Sequence, residues 1–265
     1  MPRLGQGGPV RQDLEDLASR LVMARRTGEP VDVEAIPVRE LSERDAYAVQ
    51  ARVAQTLGPV GGFKVACKPG QPRIMAPILA RDIMSSPGRL ACPTAERIGI
   101  ELELGFRVLG TLPAADAPDR DARLADCLAL VPVIEIVRTR IAGSAPPMLK
   151  LADNQINGGL VVGPALRDWQ GLNVSQVVAR LTAGTETLLD GEAEVPGQDA
   201  FENFKTLEAL VGDHCGGLRP GQLVITGSLN GLPWLTAGIK IEGWIDGVGA
   251  VRVSLEATGC GSMRR

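Results

Sequence analysis

From Ile100 to Val108 the chain alternates without a break. Ile100, Leu102, Leu104, Phe106 and Val108 fall on one parity, and Glu101, Glu103, Gly105 and Arg107 on the other. A period of two marks a β-strand with one apolar face. A helix would scatter the same apolar residues around its axis. On such a strand Glu101 and Glu103 stand on one face, roughly 6.6 Å apart along the chain, so both carboxylates can converge on a single cation. The plainer alternative is a solvated strand face that carries two glutamates.

A second run, Val131-Pro132-Val133-Ile134-Glu135-Ile136-Val137, reads as a strand buried on both faces. It contains one carboxylate. Buried and alone, Glu135 would be very costly, so it must be neutral, paired with a cation or bound to metal. Arg107, Arg138 and Arg140 are the candidate partners for a salt bridge. The other option joins Glu135 to Glu101 and Glu103 as an all-oxygen site, whose hard ligands suit Mg²⁺ or Mn²⁺. Gly61-Gly62-Phe63-Lys64-Val65 places a lysine in an apolar strand. Such a lysine has a lowered pKa or meets an anionic ligand, unless its stem packs while its amine reaches water. Asp153-Asn154 opens a polar stretch running to Gly159, a turn by composition.

The remaining pattern sets the frame. Leu14, Leu17, Leu21 and Ala24 predict a helix over 13–26, stopped by Gly28. Ser42 with Asp45 begins a second in the manner of a capping box, running to about Leu57 before Gly58-Pro59. Residues 1–60 thus form a helical N-terminal segment. From 61 to 265 the texture is β-rich, with strands expected at 63–67, 98–108, 131–138, 160–162, 223–226, 239–245 and 250–256. Helices are expected at 174–183, after Asn173 as cap, and at 202–211, with 116–126 a charged loop or short helix. This order indicates an α+β fold built on a mixed β-sheet.

Composition removes whole classes of function. A net charge of −3 over 265 residues leaves no electrostatic footprint for nucleic acid or for an anionic membrane. No apolar run approaches the ~18 residues of a spanning helix, and Met1–Arg20 lacks the pattern of a secretory signal, so a cytoplasmic location is expected. The five cysteines include no Cys-x-x-Cys pair. His214 is the single histidine, read as a cap or surface residue, which removes most His-based triads and His-rich metal sites. Carboxylates and lysines must carry any catalysis. Gly227-Ser228-Leu229-Asn230-Gly231 is not a nucleophile elbow, and no phosphate-binding glycine loop opens a helix.

Five segments occur in an order that carries a resemblance: Gly62-Phe63-Lys64-Val65; Glu101-Leu102-Glu103; Val133-Ile134-Glu135-Ile136 with Arg140; Ala152-Asp153-Asn154; and Val224-Ile225-Thr226-Gly227-Ser228. Together they resemble the 2-keto-4-pentenoate hydratase and oxalocrotonate decarboxylase family of the fumarylacetoacetate hydrolase-like superfamily. The resemblance implies a mixed β-sheet roll, bound Mg²⁺ or Mn²⁺ and a homo-oligomer acting on a small 2-oxo acid. By position it implies Glu101, Glu103 and Glu135 as metal ligands and Lys64 as the active-site lysine. Asp82 matches an acidic residue associated with that lysine, and Lys68, Asp153, Asn154 and Thr226 are candidates to touch substrate.

The implied activity is a lyase that adds water to a 2-hydroxy-2,4-dienoate. Its alternatives are decarboxylation of a 2-oxo-enedioate and a metal-binding relative without catalysis. Two departures from the family pattern stand out. The lysine is followed by Val65-Ala66-Cys67-Lys68 in place of Val-Gly-x-Thr or Ser, and Ile156 follows Asn154-Gln155 where a serine is common. A hydroxyl is lost and a cation gained, which suits a substrate with an extra anionic group or a larger tail.

Overall fold

A computed structural model describes residues 11–36, 40–197 and 199–258. The first ten residues of the expected N-terminal segment, and Cys260, lie outside that set. Among the described residues no helix is long and apolar enough to cross a membrane.

The alternating segment is the strand Arg97–Val108, at the centre of an eight-stranded mixed sheet. Across the sheet run Ile74–Leu79, Val60–Ala66, Leu223–Ser228, Arg97–Val108, Leu128–Val137, Asn157–Val162 and Ile83–Ser85, with Trp234–Thr236 paired to the start of the central strand. The pairs Leu223–Ser228 with Val60–Ala66, and Ile83–Ser85 with Asn157–Val162, are parallel. A five-stranded sheet follows the order Glu186–Glu194, Gln176–Ala183, Ile239–Ile245, Gly249–Thr258, Gly88–Pro93.

The apolar parity of the central strand supplies the core between the two sheets. Ile100, Leu102, Leu104 and Phe106 are fully buried and cluster with Leu181, Ile241, Val251 and Val253. Phe106 meets Trp169 and Phe204 edge to face, with ring centroids 4.9 and 5.7 Å apart. The other parity is not a solvated face. Ile78 and Ile83, near the two edges of the large sheet, pack in one cluster with Val131, Val133, Leu160 and Ile225, so the sheet rolls and encloses the face that carries the glutamates. Close approach is built in by Gly62, where a Cβ would fall 2.4 Å from the Leu223 carbonyl oxygen.

The first helix, Gln12–Thr27, ends at Gly28 with φ 78°, where glycine adopts the left-handed turn without a Cβ penalty. The second, Glu43–Leu57, begins with the reciprocal Ser42–Asp45 capping box. Both pack with a short helix, Pro147–Ala152, around Leu17, Leu21, Val49, Val53, Leu79, Leu149 and Leu151. A fourth, Arg120–Asp126, fills part of the charged stretch, and a fifth runs Ala200–Val211.

Two sequence expectations are corrected. Residues 174–183 hold the strand Gln176–Ala183, not a helix. Val177, Ala179, Leu181 and Ala183 are buried in alternation, and the segment forms a hairpin with Glu186–Glu194. The Asn173 side chain accepts from the Ser175 and Gln176 amides in a turn. His214 is buried rather than superficial. Its Nε2 lies 3.1 Å from Gln50 Oε1 and its ring meets Tyr47 edge to face. Desolvation lowers its pKa to about 4, so the imidazole is neutral at physiological pH.

Candidate metal and substrate site

Antiparallel pairing of Arg97–Val108 with Leu128–Val137 puts Glu101 directly opposite Glu135, with Glu103 opposite Val133. Ligand oxygens of Glu101, Glu103 and Glu135 all lie within 4.8 Å of one another. Lys64 arrives from Val60–Ala66, two strands away across the sheet. Its Nζ donates to both Glu135 oxygens at 2.6 Å. Thus Glu135 pairs with Lys64, while Arg138 bonds Glu96 and Arg140 bonds Asp153.

Two supports hold the carboxylates. The Asn157 side-chain amide donates to Glu135 Oε1 at 2.7 Å, and the Gly227 backbone N–H donates to Glu103 Oε2 at 2.7 Å. Gly227 has φ 119°, and a Cβ there would crowd Pro196 at 3.2 Å. Asn230 secures the strand between the glutamates: its Oδ1 accepts from Leu102 N and its Nδ2 donates to Ile100 O. Asn157, Gly227 and Asn230 escape sequence reasoning because each acts across a turn whose position is set by the roll. A glycine directly after a β-branched run, as Gly227 after Val224-Ile225-Thr226, was the available signal.

Charge in the cluster does not balance. Three carboxylates face one ammonium at bonding distance, with Lys68 farther out. Burial, then repulsion by Glu135, raises the Glu101 pKa to about 7, and burial with both neighbouring carboxylates lifts Glu103 well above the usual carboxylate range. Burial opposes the charge of Lys64, but Glu135, Glu101 and Glu103 outweigh it and raise its pKa. The lysine is therefore a held cation rather than a neutral amine. A surplus of buried, convergent, hard oxygen donors fits a divalent cation.

The surplus has a pH signature. A carboxylate with a raised folded pKa stabilises fully below its unfolded value, about 4.5, and loses that contribution as pH rises through about 7. At about 1.4 kcal/mol per pKa unit, this loss is sizeable in metal-free protein and is recovered when a cation takes the carboxylates. The increase in Tm on adding Mn²⁺ is therefore expected to grow from pH 4.5 to above 7. Buried neutral His214 acts in the opposite sense, its stabilisation present above 6.5 and lost as pH falls through about 4. The difference between metal-loaded and metal-free scans cancels it. A pH-independent increment would contradict this account.

Glu101 and Glu103 line a cavity of about 450 Å³ together with Lys64, Cys67, Lys68, Val137, Gln155, Ile156, Pro196, Gly227, Ser228 and Leu232, while Glu135 is fully buried and does not line it. Lys68 lies beyond the strand end at Ala66, in a turn closed by Gln71 N donating to Lys68 O, yet it lines the cavity mouth. The rim opposite is strained. Asn154, Gln155 and Ile156 have φ of 51°, 48° and 54°, a left-handed run costing about 1–3 kcal/mol per non-glycine residue. Asn154 Oδ1 and Gln155 Nε2 are buried without a hydrogen-bond partner among the described residues.

Arg140 clamps this segment, donating from Nε to Asp153 Oδ1, from Nη2 to Asp153 O and from Nη1 to Asn157 O. Asp153 is thereby withdrawn into a buried ion pair and does not line the cavity. Thr226 also turns away, donating to Leu104 O at 2.8 Å. Asn154, buried beneath the rim, is not among the lining residues either.

Asp82, expected beside Lys64, is elsewhere. It sits in the turn Ala80–Asp82, 3.7 Å from Arg25 Nη1 and 3.6 Å from Arg81 Nε, and lines a separate cavity. The turn that follows Ile74–Leu79 carries Asp82 toward the first helix, and the ion-pair partner of Lys64 is Glu135.

No family model matches the chain. Two curated relatives match at 26% identity over 259 residues, covering 93% of this chain and 96% of theirs: 2-keto-4-pentenoate hydratase of Paraburkholderia xenovorans and 2-keto-4-pentenoate hydratase 3 of Pseudomonas putida. Among solved structures, 4-oxalocrotonate decarboxylase from Pseudomonas putida G7, complexed with magnesium and adipate, superposes with a TM-score of 0.79. That match has 15% identity and covers 94% of this chain and 99% of the other. Fumarylpyruvate hydrolase from Pseudomonas aeruginosa, with Mn²⁺ and pyruvate, shares the fold more distantly, at a TM-score of 0.50 and 16% identity over 74% of this chain and 89% of the other. The chain is thus similar along nearly its whole length to two 2-keto-4-pentenoate hydratases and shares the rolled-sheet fold of 4-oxalocrotonate decarboxylase.

Proposed function

We propose that the chain is a divalent-metal-dependent hydro-lyase that adds water to a 2-hydroxy-2,4-dienoate, giving a 4-hydroxy-2-oxo acid. The observation that carries this reading is the meeting of Glu101, Glu103 and Glu135 with the Lys64 ammonium, beside a cavity that Lys64, Glu101 and Glu103 line. Glu101, Glu103 and Glu135 would hold Mg²⁺ or Mn²⁺, which when bound supplies Lewis acidity to the carboxylate and 2-oxygen of the substrate.

The chain's own residues do the rest. Lys64, kept protonated by its carboxylate neighbours, orients the substrate carboxylate and is the proton donor for the diene carbon during ketonisation. Glu135 holds Lys64 from both oxygens and so fixes the direction of its N–H groups. Val137, Ile156, Pro196 and Leu232 wall the hydrocarbon part of the substrate. Gln155 lies at the rim, where substrate or water would satisfy its Nε2, which has no hydrogen-bond partner among the described residues. The active form is a homo-oligomer in this reading. Exposed Val178 and Trp244, on the outer face of the five-stranded sheet, are suited to such a contact.

Lys68 at the mouth favours a second reading, decarboxylation of a 2-oxo-enedioate, because it offers a cation to a second carboxylate. Following loss of dienoate absorbance beside CO₂ release separates the two. CO₂ from a 2-oxo-enedioate without dienoate consumption would replace hydration by decarboxylation. Under either reaction, turnover of dicarboxylic or longer-tailed substrates is expected to exceed that of 2-hydroxypenta-2,4-dienoate or its simple counterpart. Lys68→Ala should erase that preference. Equal ratios of kcat/KM before and after the substitution would place Lys68 outside substrate recognition.

A further inference from the structure

A second cavity, of about 120 Å³, opens beside the end of the first helix and is lined by Arg25, Arg81, Arg138, Arg140, Asp82 and Glu96, among others. Four guanidinium groups share it with two carboxylates, and the two that lie deepest in the protein are not equally served. Arg140 is paired with Asp153, and Arg138 is paired with Glu96 through Nε at 2.7 Å and through Nη2. Arg25 has no such partner. Its side chain is 6% exposed, its Nη1 is 3.7 Å from Asp82 Oδ2, and its Nε is buried with no hydrogen-bond partner among the described residues. Arg81, 45% exposed at the cavity edge, shares the same carboxylate at 3.6 Å. Both separations exceed a hydrogen bond. The residues outside the described set include no Asp or Glu side chain that would supply the missing charge.

We propose that this arginine-lined cavity is a binding site for a small oxyanion, a phosphate or a carboxylate, separate from the catalytic cavity. A buried guanidinium whose carboxylate neighbour, Asp82, stands beyond hydrogen-bond distance is poorly compensated, and planar N–H donors match the oxygens of such ligands. Burial and then the neighbouring Arg140 charge lower the Arg25 pKa to about 9, the mark of a cation short of compensation. The site is tied to the catalytic one. Arg25 Nη2 donates to Asn157 O at 3.2 Å, Arg140 Nη1 donates to the same oxygen, and the Asn157 side chain holds Glu135. An anion here sits against an arginine two hydrogen bonds from a proposed metal ligand.

The test titrates inorganic phosphate and, separately, acetate into divalent-free full-length protein in chloride buffer, read by calorimetry and thermal shift. Saturable binding is expected, with Tm raised by roughly 3 °C at saturating anion. Arg81→Ala, at an exposed position that the fold tolerates, should weaken binding at least tenfold, and Arg25→Met should abolish it. Lys64→Met and Lys68→Ala should retain it. Tighter phosphate assigns the site to phosphoryl ligands and tighter acetate to carboxylates. Absence of saturable binding by either anion overturns the proposal, as does binding that survives Arg81→Ala but is lost in Lys68→Ala.

Discussion

Lys64→Met is expected to lower kcat by about 10²–10⁴, the range associated with a positioned proton donor, while leaving the metal in place or bound more tightly. The methionine keeps the stem volume in a site where the side chain is 11% exposed, so the strand Val60–Ala66 has no reason to move. What is lost is the ammonium that donates to both Glu135 oxygens at 2.6 Å. Without it, three carboxylates face one another uncompensated, which strengthens their demand for a divalent cation. Steady-state dienoate consumption, with Mn²⁺ affinity by calorimetry, reads the two effects separately. Unchanged kcat would reduce Lys64 to an ion-pair partner of Glu135.

Glu135→Gln is expected to weaken divalent-metal binding by about 100-fold or more, yet to cost the metal-free protein little stability. Removing one member of a buried ion pair ordinarily costs about 3–5 kcal/mol. Here the abandoned Lys64 keeps Glu101 and Glu103 nearby, and burial together with the neighbouring carboxylates raises the pKa of both. Loss of the Glu135 charge relieves that repulsion, so Glu101 ionises more readily and takes over the pairing. The Asn157 amide retains an acceptor in the glutamine carbonyl. The expected result is a metal-free Tm within a few degrees of the native protein and a greatly reduced Tm increment with Mn²⁺. A collapse of metal-free stability would show instead that the Lys64–Glu135 pair is structural first.

The difference between these variants reflects how the site is assembled. The central strand could be read in advance because Ile100 to Val108 alternate, and that alternation needs no partner to be interpreted. The same holds for Glu135, because the six apolar residues that flank it within Val131–Val137 leave no exposed face on which it can rest. The Ser42–Asp45 box and the Gly28 stop were legible for the same reason: their bonds close within one turn of the chain. Residues 174–183 misled because valine and leucine spacing there satisfies a helix as well as a strand, and the decision came from pairing with Glu186–Glu194 and Ile239–Ile245.

By itself, then, the sequence determined which strands carry carboxylates, which parity of each strand is apolar, and that a buried Glu135 requires a cation. Only the tertiary structure decided which cation. Lys64, Arg107, Arg138 and Arg140 are equivalent until the sheet order is known, and the roll brings Lys64 to Glu135 while Glu96 and Asp153 take the arginines. The same folding carries Asp82 away from Lys64 to Arg25 and Arg81. The physical reason is one of range. Strand parity and helix caps depend on neighbours a few residues apart, whereas electrostatic partnership depends on register between strands that lie 71 residues apart, as Lys64 and Glu135 do, and that register is set by packing of the whole sheet.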